Sequence, residues 1–263
     1  MSKVLLKAEN LGISFGGLKA VNNFNLELYE GELVGLIGPN GAGKTTVFNL
    51  LTGVYKPTEG NYYIGDEKMN GKPTYAMVRA GVARTFQNIK LFGQMTVIEN
   101  VMVAMDKALE SGFIASLFHL KKFWKEEESI RIRAMELLEV VGLSDKADVT
   151  ASNLPYGQQR KLEIARALAT DMKVLMLDEP AAGMNPTETA ELLEIINLIR
   201  KKFGISILLI EHDMALVMKV CERITVLDYG NIIATGTPQE IAKNKQVIEA
   251  YLGKDDEEED TDA

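Results

Sequence analysis

The chain has 263 residues, of which 46% are hydrophobic and 25% are charged, a composition that is ordinary for a globular protein with a buried core. No uncharged apolar run approaches the roughly 20 residues that cross a bilayer, and no signal-type apolar region follows the first residues, so we expect neither an integral membrane protein nor a secreted one. The net charge is −8, and most of it lies in the last ten residues, which contain seven acidic side chains and one basic side chain. The remainder, with 28 basic and 30 acidic side chains, is nearly neutral. Because nucleic-acid binding requires a basic surface, we expect no nucleic-acid partner.

The first part of the chain is predicted to be rich in β-strands. Apolar residues predict strands near residues 4–11, 24–28 and 61–64. The apolar run Leu33 to Ile37 predicts the first buried strand, and a helix is predicted from about Lys44 to Leu51.

A phosphate-binding loop is predicted between that strand and that helix. The segment Gly38 to Thr45 reads GPNGAGKT and matches GxxxxGK[ST] in full. Glycines let the backbone approach an anion, and the N–H groups of the loop and of the helix start attract it. We expect Lys44 to neutralise the β- and γ-phosphates of a nucleoside triphosphate and Thr45 to ligate Mg²⁺. The expected nucleotide contacts are Gly38, Pro39, Asn40, Gly41, Ala42, Gly43, Lys44, Thr45 and Thr46.

Two further residues in the first ninety are candidates for nucleotide binding. Gln87 follows a strand-like segment, and its amide oxygen is expected to complete the Mg²⁺ shell and to report the nucleotide state. Phe15, in the sequence SFGG, is a candidate for stacking on the base. The alternative for Phe15 is an ordinary core aromatic residue, and its type and position do not decide between the two.

A helical subdomain is predicted in the middle of the chain, from about residue 95 to residue 152. Thr96 and Glu99 have the spacing of a capping box. Residues 106–133 are charged and amphipathic and carry no strand signal. His119 lies in this stretch and is expected to be structural.

Strands and helices then alternate, which predicts an α/β fold with a mostly parallel sheet. Cys221, the single cysteine, excludes an internal disulfide and is expected to be a small buried side chain. The predicted elements are a helix over about Gly157 to Thr170, a strand over Val174 to Leu177, a helix from Asn185-Pro186 to about Lys202, strands over Ile205 to Ile210 and Ile224 to Leu227, a turn at Asp228 to Asn231 and a disordered acidic tail from Lys254 to Ala263.

Charged side chains follow two of these strands, where the ligand sites of α/β sheets lie. Asp178 is expected to hold Mg²⁺ through water, and Glu179 to orient or deprotonate an attacking water as general base. His212 is expected to hydrogen-bond the γ-phosphate and to hold the water in line with Glu179. A solvated acidic turn and a structural histidine are the alternatives, and the complete phosphate loop favours the catalytic interpretation.

The segment Asn153 to Arg160, NLPYGQQR, opens a helix about twenty residues before Asp178. Together with the phosphate loop, Gln87, the acidic pair and His212, in this order, it resembles the signature segment of the ATP-binding cassette (ABC) ATPases. The resemblance runs from about Val4 to Leu252. It implies a P-loop NTPase core with an antiparallel β subdomain and a helical subdomain, and it implies ATP and Mg²⁺ as ligands.

The family pattern at the signature segment is Leu-Ser-Gly-Gly-Gln. Leu154, Gly157 and Gln158 match it, whereas Pro155 and Tyr156 replace the serine and the first glycine. The resemblance implies that two cassettes pack head to tail around two ATP molecules and that these five residues contact the nucleotide held by the partner cassette.

Two departures from the family pattern bear on the partner. Pro155 has neither the hydroxyl group that the family directs at the γ-phosphate nor a backbone N–H. Asn185 stands where the family usually has aspartate. We therefore expect a heterodimer with a second ABC ATPase. The expected organisation is a single nucleotide-binding domain over residues 1–253, with the helical subdomain at about 95–152 and the tail at 254–263.

Several segments narrow the resemblance to the ATPase subunits of branched-chain amino acid importers. They are LPYGQQR, EPAAGMNP at residues 179–186, ARTFQN at residues 83–88, the insertion at residues 106–133 and the ending AYLG at residues 250–253. This resemblance implies two transmembrane permease subunits, an extracytoplasmic substrate-binding protein and a location at the cytoplasmic face of the cell membrane.

Other functions remain as alternatives. Similar ATPases serve urea or short-chain amide importers and a lipopolysaccharide exporter. Soluble ABC proteins that act on DNA carry long coiled coils, whereas only 66 residues separate Gln87 from Leu154, and ribosome-associated members usually carry two cassettes. A GTPase or small kinase is disfavoured, because Asn244-Lys245 is followed by Gln246-Val247 and not by the aspartate of a guanine-binding NKxD motif.

Overall fold

The computed structural model of the chain describes residues 3–105 and 121–252. His119, part of the predicted amphipathic segment and the acidic tail lie outside these residues. The described chain forms two compact units. The first unit contains residues 3–74 and 208–252, and the second contains residues 75–105 and 121–207.

The described residues form ten strands and nine α-helices. The strands are β1 (Val4–Phe15), β2 (Leu18–Tyr29), β3 (Leu33–Ile37), β4 (Glu59–Ile64), β5 (Glu67–Lys68), β6 (Val82–Arg84), β7 (Val174–Asp178), β8 (Ser206–Ile210), β9 (Arg223–Asp228) and β10 (Asn231–Gly236). The helices are α1 (Lys44–Leu51), α2 (Thr74–Arg79), α3 (Val97–Val103), α4 (Lys121–Val140), α5 (Tyr156–Leu168), α6 (Pro186–Phe203), α7 (Met214–Val220), α8 (Pro238–Ile241) and α9 (Lys245–Leu252), with 3-10 turns at Ser144–Lys146 and Ala151–Asn153.

The first unit contains an antiparallel sheet with the strand order β2-β1-β4-β5. Leu6 pairs with Leu28 and Leu11 pairs with Phe24, and all four side chains are fully buried. The strands β1 and β2 are longer than predicted, because their hairpin continues to the pair Phe15–Leu18, whose exposed side chains give no apolar alternation.

The first unit also holds the strands that carry the phosphate loop. β3 pairs with β9 in parallel, and β9 pairs with β10 in antiparallel fashion. All five residues of β3 are buried, as its apolar sequence predicts, and β3 and α1 have their predicted bounds. Cys221 is buried, as expected. Its Sγ packs against Gly35 of β3, where an added Cβ would lie 3.0 Å from the sulfur.

The second unit places β6 beside β7 in parallel, with Val82 opposite Val174 and Arg84 opposite Met176. The helices α3, α4 and α5 pack against one another. The helix starts predicted at Thr96 and Asn185 are confirmed, since Thr96 and Glu99 form a capping box on α3, and Asn185 forms one with Glu188 on α6.

Four helices, α2, α7, α8 and α9, were not among the predicted elements. They contain six, seven, four and eight residues. Segments this short hold about one to two helical turns, too few for an apolar period to identify them. Within the described ranges, no helix is long and apolar enough to cross a membrane.

A buried asparagine organises the start of α3. Asn100 is fully buried; its Oδ1 accepts a hydrogen bond from the Phe92 N–H at 2.9 Å, and its Nδ2 donates to the carbonyls of Phe92 and Thr96 at 3.0 and 2.9 Å. Asn100→Ala is expected to lower the free energy of unfolding by about 1–3 kcal/mol, because backbone groups lose their partners. Urea denaturation measures the change, and an unaltered midpoint would contradict it.

Candidate active site

The phosphate loop adopts a backbone that only glycine tolerates at two of its positions. Gly38 and Gly43 have φ values of +151° and +103°. A Cβ at Gly38 would lie 2.1 Å from the carbonyl oxygen of Leu227, and a Cβ at Gly43 would lie 2.9 Å from that of Ala20. The glycines of the motif are therefore required by the fold itself.

The start of α1 suits a bound anion. Gly43 is the N-cap and supplies no side-chain hydrogen bond, and the first turn of this helix contains no acidic residue. Asn40, Gly41 and Thr45 are exposed. The positive end of the helix dipole is thus balanced by no side chain of its own first turn, which fits a phosphate group.

Lys44 lies within the loop and is only 6% exposed. Its Nζ donates hydrogen bonds to the carbonyl oxygens of Gly38 and Pro39, at 2.6 and 2.9 Å. The ammonium group is therefore held at the loop by the backbone of the loop. A triphosphate is a stronger acceptor for this ammonium than these neutral carbonyls, because its oxygens carry negative charge.

The loop is tied to neighbouring parts of the first unit. The carbonyl of Ala42 accepts a hydrogen bond from the Gly230 N–H at 2.9 Å, and the carbonyl of Gly230 accepts one from the Asn22 N–H at 2.9 Å. Burial raises the pKa of the Tyr251 hydroxyl, and a hydrogen bond with the backbone of Gly38 opposes that rise. These contacts of the β9–β10 turn and of α9 were not predicted, because they join residues far apart in the chain.

Phe15 stands at the end of β1 and is 47% exposed, so the core-aromatic alternative is wrong. Its ring meets that of Tyr55 edge to face, with centroids 5.4 Å apart and an interplanar angle of 74°. Tyr55 was not among the predicted site residues. The contact leaves Phe15 with an accessible aromatic surface, and base stacking by Phe15 stays a prediction.

His212 is exposed and follows the buried strand β8 and the buried Glu211. The next residue, Asp213, is the N-cap of α7, and its Oδ1 accepts hydrogen bonds from the N–H groups of Ala215 and Leu216 at 2.8 and 3.2 Å. The end of β8 and the capped start of α7 therefore fix the backbone on both sides of His212.

In the second unit, the carboxylate of Asp178 is paired with an arginine that was not predicted. Arg84 lies opposite Met176 in the β6–β7 register, and Asp178 follows two residues later on the same face of β7. Arg84 Nη2 lies 2.6 Å from Asp178 Oδ2, and the two side chains are 7% and 5% exposed. The parallel register thus brings a cation to the acidic residue.

Glu179 is buried and has an unusual backbone. Its φ is +49°, a left-handed value that is uncommon outside glycine and that costs about 1–3 kcal/mol when a fold imposes it. Its Oε2 accepts a hydrogen bond from Gln87 Nε2 at 2.8 Å. The structure therefore brings two predicted site residues together, through the amide nitrogen of Gln87 and not through the oxygen that was expected to face Mg²⁺.

The segment that carries Gln87 is held by Arg160 of α5. Arg160 is 1% exposed, and its guanidinium donates to the carbonyl oxygens of Phe86, at 2.5 Å, and of Gln87. Arg160 Nη1 also lies 2.9 Å from Glu163 Oε2. Burial raises the pKa of the Glu163 carboxyl, and the charge of Arg160 opposes that rise.

The signature segment packs against the residues that follow Glu179. A Cβ on Gly157 would lie 3.0 Å from the Glu188 carboxylate, and one on Gly183 would lie 3.6 Å from the Tyr156 ring. Tyr156 is 42% exposed, so its ring both packs here and meets solvent. The substitution of tyrosine for the family's glycine is therefore accommodated within the second unit.

The remaining signature residues shape the start of α5. Pro155 is the N-cap and makes no side-chain capping bond, but its carbonyl accepts hydrogen bonds from the N–H groups of Gln158 and Gln159, both at 3.0 Å. Leu154 is buried, and the Gln158 side chain accepts a hydrogen bond from Lys146 Nζ at 2.8 Å. The helix begins at Tyr156, one residue before the prediction.

The donors predicted for Mg²⁺ have suitable chemistry. They are the hydroxyl of Thr45, the amide oxygen of Gln87 and the carboxylate of Asp178, all of them hard oxygen ligands. Across residues 3–105 and 121–252, no group of three or more His, Cys, Asp or Glu side chains could hold a metal ion. Mg²⁺ is usually held by one or two carboxylates together with phosphate oxygens of the substrate.

Comparisons with known proteins agree with this geometry. The family model described as ABC transporter matches residues 21–182, and the model described as branched-chain amino acid ATP-binding cassette transporter matches residues 231–257. The ADP conformation of MJ1267, an ATP-binding cassette of an ABC transporter, superposes with a TM-score of 0.82 at 32% identity, covering 96% of this chain and 100% of that one.

Two relatives bear on the choice between transport functions. The high-affinity branched-chain amino acid transport ATP-binding protein LivG of Escherichia coli K12 is 52% identical over 254 residues, which are 97% of this chain and 100% of LivG. The lipopolysaccharide export system ATP-binding protein LptB of Haemophilus influenzae is 34% identical over 250 residues, which are 95% of this chain and 98% of LptB.

The chain belongs to the ABC transporter ATPase family. It binds nucleotide and hydrolyses ATP as a transporter subunit, and the predicted P-loop α/β fold is confirmed.

Proposed function

We propose that the chain is the ATPase subunit of an importer for branched-chain, hydrophobic amino acids. The observation that carries the proposal is the 52% identity to LivG over the full length of that protein. The match of residues 231–257 to the branched-chain family model supports it independently. Lipopolysaccharide export is less well supported, since LptB is 34% identical.

The first unit holds the triphosphate. Loop N–H groups and the start of α1 bind the phosphates, and Lys44 exchanges its carbonyl partners in the loop for oxygens of the β- and γ-phosphates. Phe15, half exposed at the end of β1, stacks on the adenine ring. Substrate binding thus uses residues that the fold has already positioned.

The second unit supplies the general base. Glu179 takes a proton from a water molecule, the water oxygen attacks the γ-phosphorus, and ADP leaves with the electron pair of the broken bond. The buried position of Glu179 and its hydrogen bond from Gln87 keep the carboxylate in one orientation. His212 donates a hydrogen bond to the γ-phosphate and keeps the water in line.

Magnesium, when bound, neutralises the charge that develops on the phosphate oxygens. Thr45, Gln87 and Asp178 would hold it. In the present arrangement Arg84 pairs with Asp178, and the Gln87 amide nitrogen faces Glu179. A metal ion that binds Asp178 Oδ2 directly would therefore have to displace Arg84.

The chain works beside a second, different ABC ATPase, and the pair is joined to two transmembrane permease subunits at the cytoplasmic face of the membrane. An extracytoplasmic binding protein delivers the amino acid. Residues 1–253 act as one nucleotide-binding domain with its helical part at about 95–152. Leu154, Pro155, Tyr156, Gly157 and Gln158 cap the nucleotide of the partner ATPase, and Pro155, which has no hydroxyl or N–H to offer, makes the two sites unequal.

Uptake of labelled leucine tests the proposed function. A strain that lacks this chain is expected to lose high-affinity leucine uptake, and the wild-type chain restores it. The exposed-surface variant Glu194→Gln restores it equally, whereas Glu179→Gln does not. Restoration of urea uptake in place of leucine uptake would assign the chain to the amide importers instead.

A further inference from the structure

Arg160 is a buried cation of the second unit to which the proposed mechanism gives no role. Arg160 lies on α5, two residues beyond the last signature residue, and its side chain is 2% exposed. Its guanidinium donates to the carbonyl oxygens of Phe86 and Gln87 and pairs with Glu163. Burying such a pair removes both charges from water, and a hydrophobic pair of similar size is often at least as stable. Stability alone therefore does not account for Arg160.

The two carbonyl groups that Arg160 binds belong to the segment that carries the Gln87 side chain. That side chain donates to Glu179 Oε2 at 2.8 Å. Glu163 contributes from the other side, since its Oε1 lies 3.4 Å from the Phe86 N–H. Two side chains of α5 thus bind the backbone at residues 86–87: Arg160 donates to its carbonyl groups, and Glu163 accepts from its N–H group. This backbone carries the Gln87 side chain that donates to Glu179.

Arginine suits this task because of its shape. Its planar fork can reach two adjacent carbonyls and a carboxylate at once, whereas lysine offers a single point charge. Tyr156 covers the fork: its hydroxyl accepts from Arg160 Nη2 at 3.2 Å, and the guanidinium lies 5.6 Å from the ring centroid. The residue that replaces the family's signature glycine therefore contacts the arginine directly.

We infer that Arg160 is a positioning residue for ATP hydrolysis. It clamps the carbonyls of Phe86 and Gln87, and so holds the Gln87 amide on Glu179 and connects the signature helix α5 to the catalytic carboxylate. The inference rests on the proposed role of Glu179 as general base. A displacement at the start of α5, where the partner's nucleotide is capped, reaches Glu179 through this arginine and Gln87.

The test removes both charges of the buried pair, since one alone would leave an unpaired ion. Arg160→Met combined with Glu163→Gln keeps the volume and an acceptor oxygen for Phe86. In the purified full chain we expect kcat for ATP to fall about 10- to 100-fold, because small displacements of catalytic groups cost up to about 100-fold. The affinity for nucleotide without Mg²⁺ is expected to change less than about threefold, because the phosphate loop is untouched.

A second background separates positioning from mere stabilisation. If Arg160 acts through Gln87, the double substitution lowers kcat by less than about twofold in a Gln87→Ala chain, because the effects of coupled residues are not additive. Asn100→Ala is the matched control, since it removes buried hydrogen bonds to the backbone at Phe92 and leaves residues 86–87 unchanged. It is expected to lower the melting temperature but not kcat at 25 °C. Arg160→Lys should give an intermediate kcat.

The inference would be overturned if the double substitution lowered kcat by the same factor in the wild-type and Gln87→Ala backgrounds. It would also be overturned if Asn100→Ala, with a melting temperature as low as that of the double variant, lost as much kcat. A Gln87→Ala chain with wild-type kcat would overturn it too, because the clamp would then have no target. These results leave the proposed function intact. Only full activity of Glu179→Gln would remove the general base itself, and the clamp with it.

Discussion

Glu179→Gln is expected to lower kcat for ATP hydrolysis by about 10²- to 10⁴-fold, the range that general-base catalysis contributes. Glutamine has the same shape, and its side-chain oxygen still accepts the hydrogen bond from Gln87, so the strained, buried position is kept. The amide cannot take a proton from water. Steady-state phosphate release measures kcat, and equilibrium binding of a fluorescent ATP analogue is expected to show wild-type affinity within a few-fold.

The control for Glu179→Gln is Glu194→Gln, which removes an exposed carboxylate of α6. It should leave kcat unchanged. In the presence of ATP, the stalled Glu179→Gln chain is expected to accumulate as a dimer with the second ABC ATPase. Self-dimers only, with the second ATPase present and unbound, would contradict the proposed heterodimer, and wild-type turnover would exclude Glu179 as the base.

Lys44→Ala is expected to weaken ATP binding about 10- to 150-fold. In the proposed site the ammonium group makes charge-assisted contact with the phosphates, whose loss is expected to cost about 1.5–3 kcal/mol in total, and tenfold in affinity corresponds to about 1.4 kcal/mol. The fold is expected to survive, because Nζ donates to loop carbonyls, with which water can also form hydrogen bonds. Isothermal titration with ATP measures the loss.

Lys201→Ala is the matched control for Lys44→Ala, since it removes an exposed lysine from the last turn of α6. Its affinity for ATP should equal that of the wild type. Unchanged binding by Lys44→Ala would mean that the phosphates lie somewhere other than the loop after β3.

The parts of the site that could be predicted are those encoded by contiguous residues. The phosphate loop follows from a strand, a set of glycines and a helix start that are adjacent in sequence, so Leu33–Ile37 and Lys44–Leu51 have their predicted bounds. The capping boxes at Thr96 and Asn185 are equally local. Local hydrogen bonds set these features, and the side chains that make them lie within three residues of one another.

The unpredicted parts depend on contacts between distant segments. Arg84 meets Asp178 only because β6 and β7 pair in a particular parallel register, and Arg160 meets Gln87 across 73 positions of the chain. No periodicity indicates such pairs. The left-handed backbone of Glu179 is similar, since nothing in the residue type favours it and the surrounding structure imposes it.

The ion pair between Arg84 and Asp178 has a consequence for the dependence of the protein on divalent cations. The Asp178 carboxylate, 5% exposed at the end of a core strand, needs a countercharge, because burial of an unpaired charge is costly. Arg84 of the same chain supplies that countercharge. We therefore expect the second unit to be stably folded in the absence of magnesium. On the proposed role of Asp178, we expect chelation of magnesium to abolish ATP hydrolysis and to leave the subunit folded.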